Sequence, residues 1–202
     1  MGKLATALLC IVALSGCQLG SYGKSSPYPY DVAEKIAVTV PPNAPSVIQQ
    51  FRPLSPEKGQ DSGAEHPGID IYEARGFPVL AAADGVVTQS GFGGSYGHKI
   101  VLRHKTGPDG YAMQTVYKHL SARDVQPGAT VKRGQKIAGL GNSGLLAAGI
   151  VHLHFEVHQI HETRTVPQDP HLYWADGVGR VTCFDPARQY AGFALTYPVP
   201  CR

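Results

Sequence analysis

Short apolar runs separated by glycine-rich turns follow one another between residues 68 and 158. They read GIDIY, PVLAAADGVVTQSG, HKIVLRH, TVYKHLS, ATVKRGQKIAGLG and IVHLHFEVH. The runs are rich in β-branched residues and too short for amphipathic helices, which is typical of strands joined by turns. The 24 glycines and 16 prolines among 202 residues also fit a turn-rich β protein better than a helical bundle. We therefore predict a mostly β fold, a single compact antiparallel and sandwich-like domain with irregular N- and C-terminal extensions.

The N-terminus has the pattern of an export signal. The stretch MGKLATALLCIVALSGC contains one lysine, then a short apolar run, then small residues before Cys17. The apolar run is shorter than a membrane span and fits the central region of a signal peptide. Residues 14–17, LSGC, resemble the bacterial lipobox, which implies cleavage after residues 1–16 and a lipid on Cys17. The alternative is an ordinary signal peptide with a chance cysteine at this place.

Composition divides the rest of the chain into three parts. Small polar residues and prolines follow Cys17, so we predict a lipid anchor and tether over residues 17–45. The alternating apolar runs predict the compact domain over residues 46–175. Residues 176–202 lack that alternation and are predicted to form an irregular C-terminal extension.

Two cysteines remain after the signal peptide and the lipidated cysteine are set aside. Cys183 and Cys201 are then an even pair in an exported chain, which favours a disulfide between them. Two free thiols are the alternative.

The run IVHLHFEVH carries polar side chains where only apolar ones are expected. Because side chains alternate along a strand, Leu153, Phe155 and Val157 share one face, which we predict to be buried in the core. The other face holds His152, His154, Glu156 and His158. Two histidines on one face can bind a metal ion, although for this run alone a solvated polar face is the better interpretation.

Two further motifs contain the same kinds of side chain. HPGID places His66 and Asp70 four residues apart, and Pro67 and Gly68 argue for a turn that leads into a strand rather than for a helix. YKHLS places His119 at the end of an apolar run. Each motif alone carries little information, but together in one small exported domain they indicate a catalytic zinc site, which needs three protein ligands and a water.

These motifs resemble those of the lysostaphin/LytM-type zinc metallopeptidases, which are bacterial cell-wall endopeptidases. The resemblance covers roughly residues 50–160 and includes the supporting stretches AAADGVV, GHKIVLRH and VKRGQKIAGLGNSG. Residues 145–151 depart from the family pattern, because they are more apolar than its short glycine- and serine-rich turn. This departure concerns the rim of a cleft rather than the metal.

The resemblance implies one zinc ion per chain, bound by His66, Asp70 and His154. It also implies that His119 and His152 are the catalytic pair that does not bind the metal. One of them would move a proton or bind the oxyanion while zinc activates water, and the resemblance does not decide which.

Two further residues are candidates to support a ligand through a hydrogen bond. His104 matches a frequent histidine of the family. Glu156 shares the strand face of the histidine pair, and for it an exposed or structural role is an equally good interpretation.

The implied function is that of a zinc metalloendopeptidase that hydrolyses peptide bonds in the stem or crosslink peptides of peptidoglycan. The lipobox would anchor it to a membrane, and Gln18 after Cys17 implies the outer membrane facing the periplasm in a Gram-negative organism. The alternative is a non-catalytic or regulatory activator of other cell-wall hydrolases, and a regulatory protein partner is left open. A net charge of +3 without a basic run argues against a nucleic-acid partner.

Overall fold

The computed structural model describes residues 22–26, 36–53 and 65–202. Within these ranges the regular structure consists of β-strands and two short 3-10 helices, Leu145–Ala147 and Pro170–Leu172. The strands are β1 (Val47–Gln49), β2 (Ile69–Ile71), β3 (Pro78–Leu80), β4 (Gly85–Gly93), β5 (Gly97–Thr106), β6 (Ala112–Leu120), β7 (Ala122–Arg123), β8 (Thr130–Val131), β9 (Lys136–Gly139), β10 (Leu153–Ile160) and β11 (Thr165–Gln168). None of the helices in these ranges has the length and apolar character that crossing a membrane requires.

The strands form two antiparallel sheets. The larger has eight strands in the order β1-β2-β10-β6-β5-β4-β8, with β11 pairing to β10 beside this path. The smaller has three strands in the order β3-β9-β7. The mostly β, antiparallel fold predicted from the sequence is thereby confirmed.

The core lies against one face of the larger sheet. Leu153, Phe155 and Val157 on β10 are each fully buried, as their alternation in the sequence predicts. Tyr117 on β6 pairs with Phe155, and their ring centroids are 5.3 Å apart. The Tyr117 hydroxyl accepts a 2.9 Å hydrogen bond from the Ala82 N–H, so the buried phenol has a polar partner.

Two of the apolar runs divide between the sheets, which their sequence did not indicate. Residues 78–91 contribute to β3 in the smaller sheet and to β4 in the larger one, and the corner at residues 81–84 between them begins with three buried alanines. Residues 129–141 likewise form β8 and β9, with a turn at residues 132–135 between them. The two corners are bonded to each other, because the Gly134 N–H donates to the Ala81 carbonyl at 2.8 Å. Small side chains permit this crossing, since the two backbones approach closely.

The segments before and after the central strands also pack on the domain. Thr39 donates its N–H to the Gly179 carbonyl at 2.8 Å, and Val40 and Ala44 are buried. Packed structure therefore begins before residue 46. In the C-terminal extension Leu195 and Tyr197 are fully buried. The predicted signal peptide and Cys17 lie outside the described residues.

Candidate metal centre and cleft

The HPGID turn is placed against β10 by a close backbone approach. A Cβ atom on Gly68 would lie 2.3 Å from the carbonyl oxygen of Phe155, so only glycine allows this distance. In the β2–β10 ladder Asp70 then pairs directly with His154. Because opposite residues of an antiparallel pair point to the same face, the Asp70 carboxylate meets the His154 ring, and His66 joins them from the turn.

Three potential ligand atoms converge at this place. His66 Nε2 lies 3.1 Å from Asp70 Oδ1, and His154 Nδ1 lies 2.8 Å from the same oxygen. The ligand atoms of the three residues all lie within 4.8 Å of one another, and each residue is buried. The sequence motifs that were 84 residues apart thus meet at one point.

Hydrogen bonds on the far side of each ring orient the two histidines. His66 Nδ1–H donates to the Gln50 carbonyl at 2.8 Å, which leaves Nε2 to face Asp70 and to bind a metal ion when it is unprotonated. His154 Nε2–H donates to Glu156 Oε1 at 2.8 Å, which leaves Nδ1 to face Asp70 and to bind a metal ion when it is unprotonated. Metal-binding histidines characteristically have such partners on the other nitrogen. Two imidazoles and a carboxylate are a donor set that suits Zn²⁺.

Buried charge also favours a cation here. Burial opposes ionisation of Asp70, but hydrogen bonds with His154 and His66 hold its pKa well below the usual range. Burial likewise opposes ionisation of Glu156, and His154 and His158 lower its pKa overall. Burial lowers the pKa of His154, but its hydrogen bonds to the two carboxylates outweigh burial and raise it. The raised pKa of His154 indicates that the two carboxylates favour positive charge at this place, which a divalent cation would also supply.

His119 and His152 stand beside this centre with a matching hydrogen-bond pattern. Their ring centroids are 4.9 Å apart, and His152 Nε2 lies 3.8 Å from Asp70 Oδ1. The Nδ1–H of His119 donates to the Ser143 carbonyl and that of His152 to the Ile150 carbonyl, both at 3.0 Å. Burial lowers the pKa of His119 to about 4 and also lowers the pKa of His152. Both rings are therefore neutral at pH 7, with Nε2 unprotonated.

The backbone of His119 adopts a conformation that is rare for a residue with a side chain. Its φ is 63°, in the left-handed region. The His119 N–H donates to the Tyr96 carbonyl at 3.1 Å, and the His119 carbonyl accepts from Ser143 N–H at 3.3 Å. These bonds hold a strained backbone that turns the imidazole toward the cleft, as is common at functional sites.

Comparison with known proteins decides the family. Residues 64–170, which include all five of these side chains, match the model of Peptidase family M23. The chain belongs to this family. The resemblance to lysostaphin/LytM-type peptidases that the motifs suggested is therefore confirmed.

Individual relatives of the M23 domain come from several bacteria. The chain is 32% identical over 145 residues to the peptidoglycan DD-endopeptidase ShyC of Vibrio cholerae, which covers 71% of this chain and 32% of the relative. It is 35% identical over 113 residues to a lipoprotein NlpD/LppB homolog of Pseudomonas aeruginosa, covering 55% of this chain and 34% of that protein. The chain thus spans about a third of the length of these two relatives.

A solved structure is also similar to this chain. The catalytic domain of lysostaphin from Staphylococcus simulans aligns with 29% identity and a TM-score of 0.47. The alignment covers 60% of this chain and 85% of that domain.

The candidate metal centre lies in a cleft of about 450 Å³. One wall is the apolar stretch that departs from the family pattern. Leu145, the first residue of the 3-10 helix in this stretch, is 82% exposed, and Ala148, directly after that helix, has a φ of 49°. The cleft is also lined by these side chains from the stretch and from the opposite wall: Leu146, Ala147, Ala148, Ile150, Tyr96 and Lys118.

Lys118 was not singled out by the sequence as a site residue. Its ammonium group forms a buried ion pair with Glu156 and lies 3.8 Å from the centroid of the Tyr96 ring. A lysine inside an apolar strand, between Tyr117 and His119, was the available signal, because a buried charge needs a partner.

A chain of buried hydrogen bonds behind His66 was also missed. Trp174 Nε1–H donates to His171 Nδ1 at 2.9 Å, and His171 Nε2–H donates to Gln50 Oε1 at 2.8 Å. The Gln50 carbonyl in turn accepts from His66. Nothing in the sequence near His171 marks its partner Gln50, which lies 121 residues away.

The two candidates for ligand support differ in position. Glu156 contacts His154 directly. His104 instead bonds to the Asp84 carbonyl at 2.8 Å and to Thr115 Oγ1 at 2.7 Å, neither of which is a proposed ligand. It follows Leu102 by two residues on β5 and so shares the core face of the sheet, away from the metal centre. Its place is therefore structural rather than in support of a ligand.

Proposed function

We propose that this M23 domain is a zinc-dependent endopeptidase that hydrolyses peptide bonds in the stem or crosslink peptides of peptidoglycan. The convergence of His66, Asp70 and His154 beside His119 and His152 is the observation that carries the proposal. The name of the Vibrio cholerae relative, a peptidoglycan endopeptidase, supports the substrate class.

The proposed roles follow from which ring nitrogens are free. His66 Nε2, Asp70 Oδ1 and His154 Nδ1 would hold one zinc ion per chain. When bound, zinc supplies a Lewis acid that polarises the scissile carbonyl and acidifies water. His119 and His152 keep Nδ1–H on carbonyl oxygens, so Nε2 of either ring accepts the proton of the attacking water. The imidazolium that results can donate to the oxyanion or to the leaving amine.

We also propose that the chain is a lipoprotein of the cell envelope. The lipobox at Cys17 supports this, and so does the printed name of the Pseudomonas aeruginosa relative. In a Gram-negative organism the domain would face the periplasm from the outer membrane. A Cys17→Ala variant is expected to move from the membrane fraction to the soluble fraction, whereas membrane retention of that variant would contradict the anchor.

The alternative function is activation of other cell-wall hydrolases without catalysis. All three proposed ligands and both proposed catalytic histidines are present, and this favours the enzyme.

A zinc titration tests the enzymatic proposal. The chain is stripped with a chelator, zinc is added back, and peptide fragments released from purified sacculi are followed. Release that depends on zinc and is lost in His154→Ala is the expected result. If the zinc-loaded chain and His154→Ala release equally little, while the chain still stimulates another hydrolase, the activator function replaces the enzyme.

A further inference from the structure

A second pocket lies away from the metal centre and is larger than the cleft. Its volume is about 940 Å³. One wall comes from the ends of β4, β5 and β8, and the other from residues 184–193 of the C-terminal extension. Pockets of this size bind peptides or small molecules.

The lining of this pocket is strongly cationic. It contains five positively charged side chains and one carboxylate, namely Arg103, Lys105, Lys132, Arg133, Arg188 and Asp84. Lys132 pairs with Asp84 at 3.2 Å, and Arg188 pairs with Asp176 at 2.5 Å. The surplus positive charge is therefore on the other three residues.

One of these three is rigid and two are free. Arg133 donates to the Ala82 and Ala194 carbonyls at 2.7 and 2.8 Å, and its guanidinium lies 4.3 Å from the Tyr190 ring centroid. Arg103 and Lys105 are exposed and have no acidic partner among the described residues. The pocket thus combines a fixed cation with two that are available to an anionic ligand.

The sheet register relates this pocket to the metal centre. Arg103 pairs with Gln114, which pairs with His158 two residues beyond Glu156 on β10. Arg103 therefore points to the same sheet face as His154, two strands away and four residues along. Strand spacings of about 4.8 Å and about 3.3 Å per residue put the two positions roughly 16 Å apart. About five residues of extended peptide span that distance.

We propose that this pocket is an accessory site for the carboxylate groups of the peptidoglycan peptide whose bond is cut in the cleft. The inference rests on the proposed function for the identity of the peptide. A concave pocket of this volume suits a flexible peptide better than a flat bilayer or a folded protein. Its cationic lining matches the free carboxylates of a stem peptide, and Arg103, on the same sheet face as His154, lies within reach of a peptide bound in the cleft.

Binding to the zinc-free full chain tests the proposal without any need for hydrolysis. The probes are a synthetic stem peptide with free carboxylates and the same peptide with its carboxylates amidated, both measured by calorimetry. The free peptide is expected to bind about tenfold more tightly than the amidated one. Arg103→Glu combined with Lys105→Glu should abolish that difference.

The matched control reverses two exposed charges elsewhere. Arg75→Glu combined with Arg164→Glu changes the net charge equally, and neither residue lines the pocket. This control should keep the tenfold preference for free carboxylates. Thermal unfolding of both double variants shows whether each is folded, and the exposed positions predict that both are.

Three results would overturn the accessory site. The first is equal binding of the two peptides to the unaltered chain. The second is loss of the preference in both double variants, since it would indicate a general charge effect. The third is binding of vesicles with anionic phospholipids that requires Arg103 and Lys105, without peptide binding. Failure of zinc-dependent hydrolysis alone would leave the measured preference intact, so the two proposals fail separately.

Discussion

At the scale of single residues, the Glu156 carboxylate contacts both a proposed zinc ligand and the neighbouring basic side chains. It accepts hydrogen bonds from His154 and His158, and it pairs with Lys118. We predict that Glu156→Gln lowers zinc affinity by about 10- to 100-fold, because a neutral amide holds the His154 Nε2–H less firmly. Competition with a chromophoric chelator measures this. Glu162→Gln, at an exposed site, is the control, and equal zinc affinity of both variants would refute the role of Glu156.

A second residue-scale prediction concerns pH. Burial lowers the pKa of His171 from 6.5 to about 4. Between these two values the unfolded chain binds a proton that the folded chain does not, so stability falls as pH falls from about 6.5 to 4. Glutamine at this position offers a donor and an acceptor but does not titrate. His171→Gln should therefore lose less stability over this range than the unaltered chain, by about 1–3 kcal/mol.

Urea unfolding of the zinc-free chain at several pH values between 4.5 and 7.5 measures the difference. Parallel pH profiles for the two proteins would show that His171 is not neutral in the folded state.

Some site residues could be predicted from the sequence, and others could be found only in the structure. His66, Asp70, His119, His152 and His154 could be named because each stands in a short motif with characteristic neighbours. Among the supports behind them, Glu156 could be named because it shares a strand face with His154, but Gln50, His171 and Trp174 could not. Their contacts join positions that are remote in the chain, and the role of a buried polar side chain depends on the partner that folding brings to it.

At the scale of elements, the approach of the HPGID turn to β10 sets the relative positions of the three proposed metal ligands. We predict that Gly68→Ala destabilises the fold by about 1–3 kcal/mol and weakens zinc binding, because the added Cβ collides with the Phe155 carbonyl and shifts the turn. Gly91→Ala is the matched control, since nothing lies within 4 Å of a Cβ there. Denaturant unfolding and zinc titration measure both effects. Similar results for the two variants would mean that the turn can move without cost.

For the strands, the sequence predicts which side chains face the core but not which sheet each strand joins. The alternation of residues along β10 was sufficient to predict which side chains enter the apolar core, because the apolar residues share one face with period two, while His154 and Glu156 are buried on the other face among polar groups. The division of residues 78–91 into β3 and β4 was not predictable, since the alanine-rich corner is as apolar as the strands it joins. Which sheet a short apolar run joins depends on contacts with distant segments, such as Leu80 N–H to the Pro198 carbonyl at 2.8 Å.

At the scale of the whole molecule, the C-terminal extension closes the domain and builds one wall of the accessory pocket. A disulfide joins Cys183 to Cys201 across a sequence separation of 18. Within that loop Leu195, Tyr197 and Val199 enter the core. The Arg202 N–H donates to the Asn43 carbonyl at 2.9 Å, so this segment also packs beside residues 36–53.

Removal of this disulfide should affect the proposed accessory pocket but not the proposed metal centre. We predict that Cys183→Ala combined with Cys201→Ala lowers the free energy of unfolding by about 3 kcal/mol, as loop closure of this length implies. The preference for free carboxylates should fall as well, because residues 184–193 are no longer fixed as a wall. Zinc affinity should not change, since the three proposed ligands lie on β2, on β10 and in the HPGID turn, outside the loop.

Denaturant unfolding measures the free energy of unfolding, calorimetry with the two peptides measures the carboxylate preference, and chelator competition measures zinc affinity. The reduced unaltered chain should behave like the double variant. A parallel loss of zinc affinity and carboxylate preference would show that the extension supports the whole domain rather than the accessory pocket.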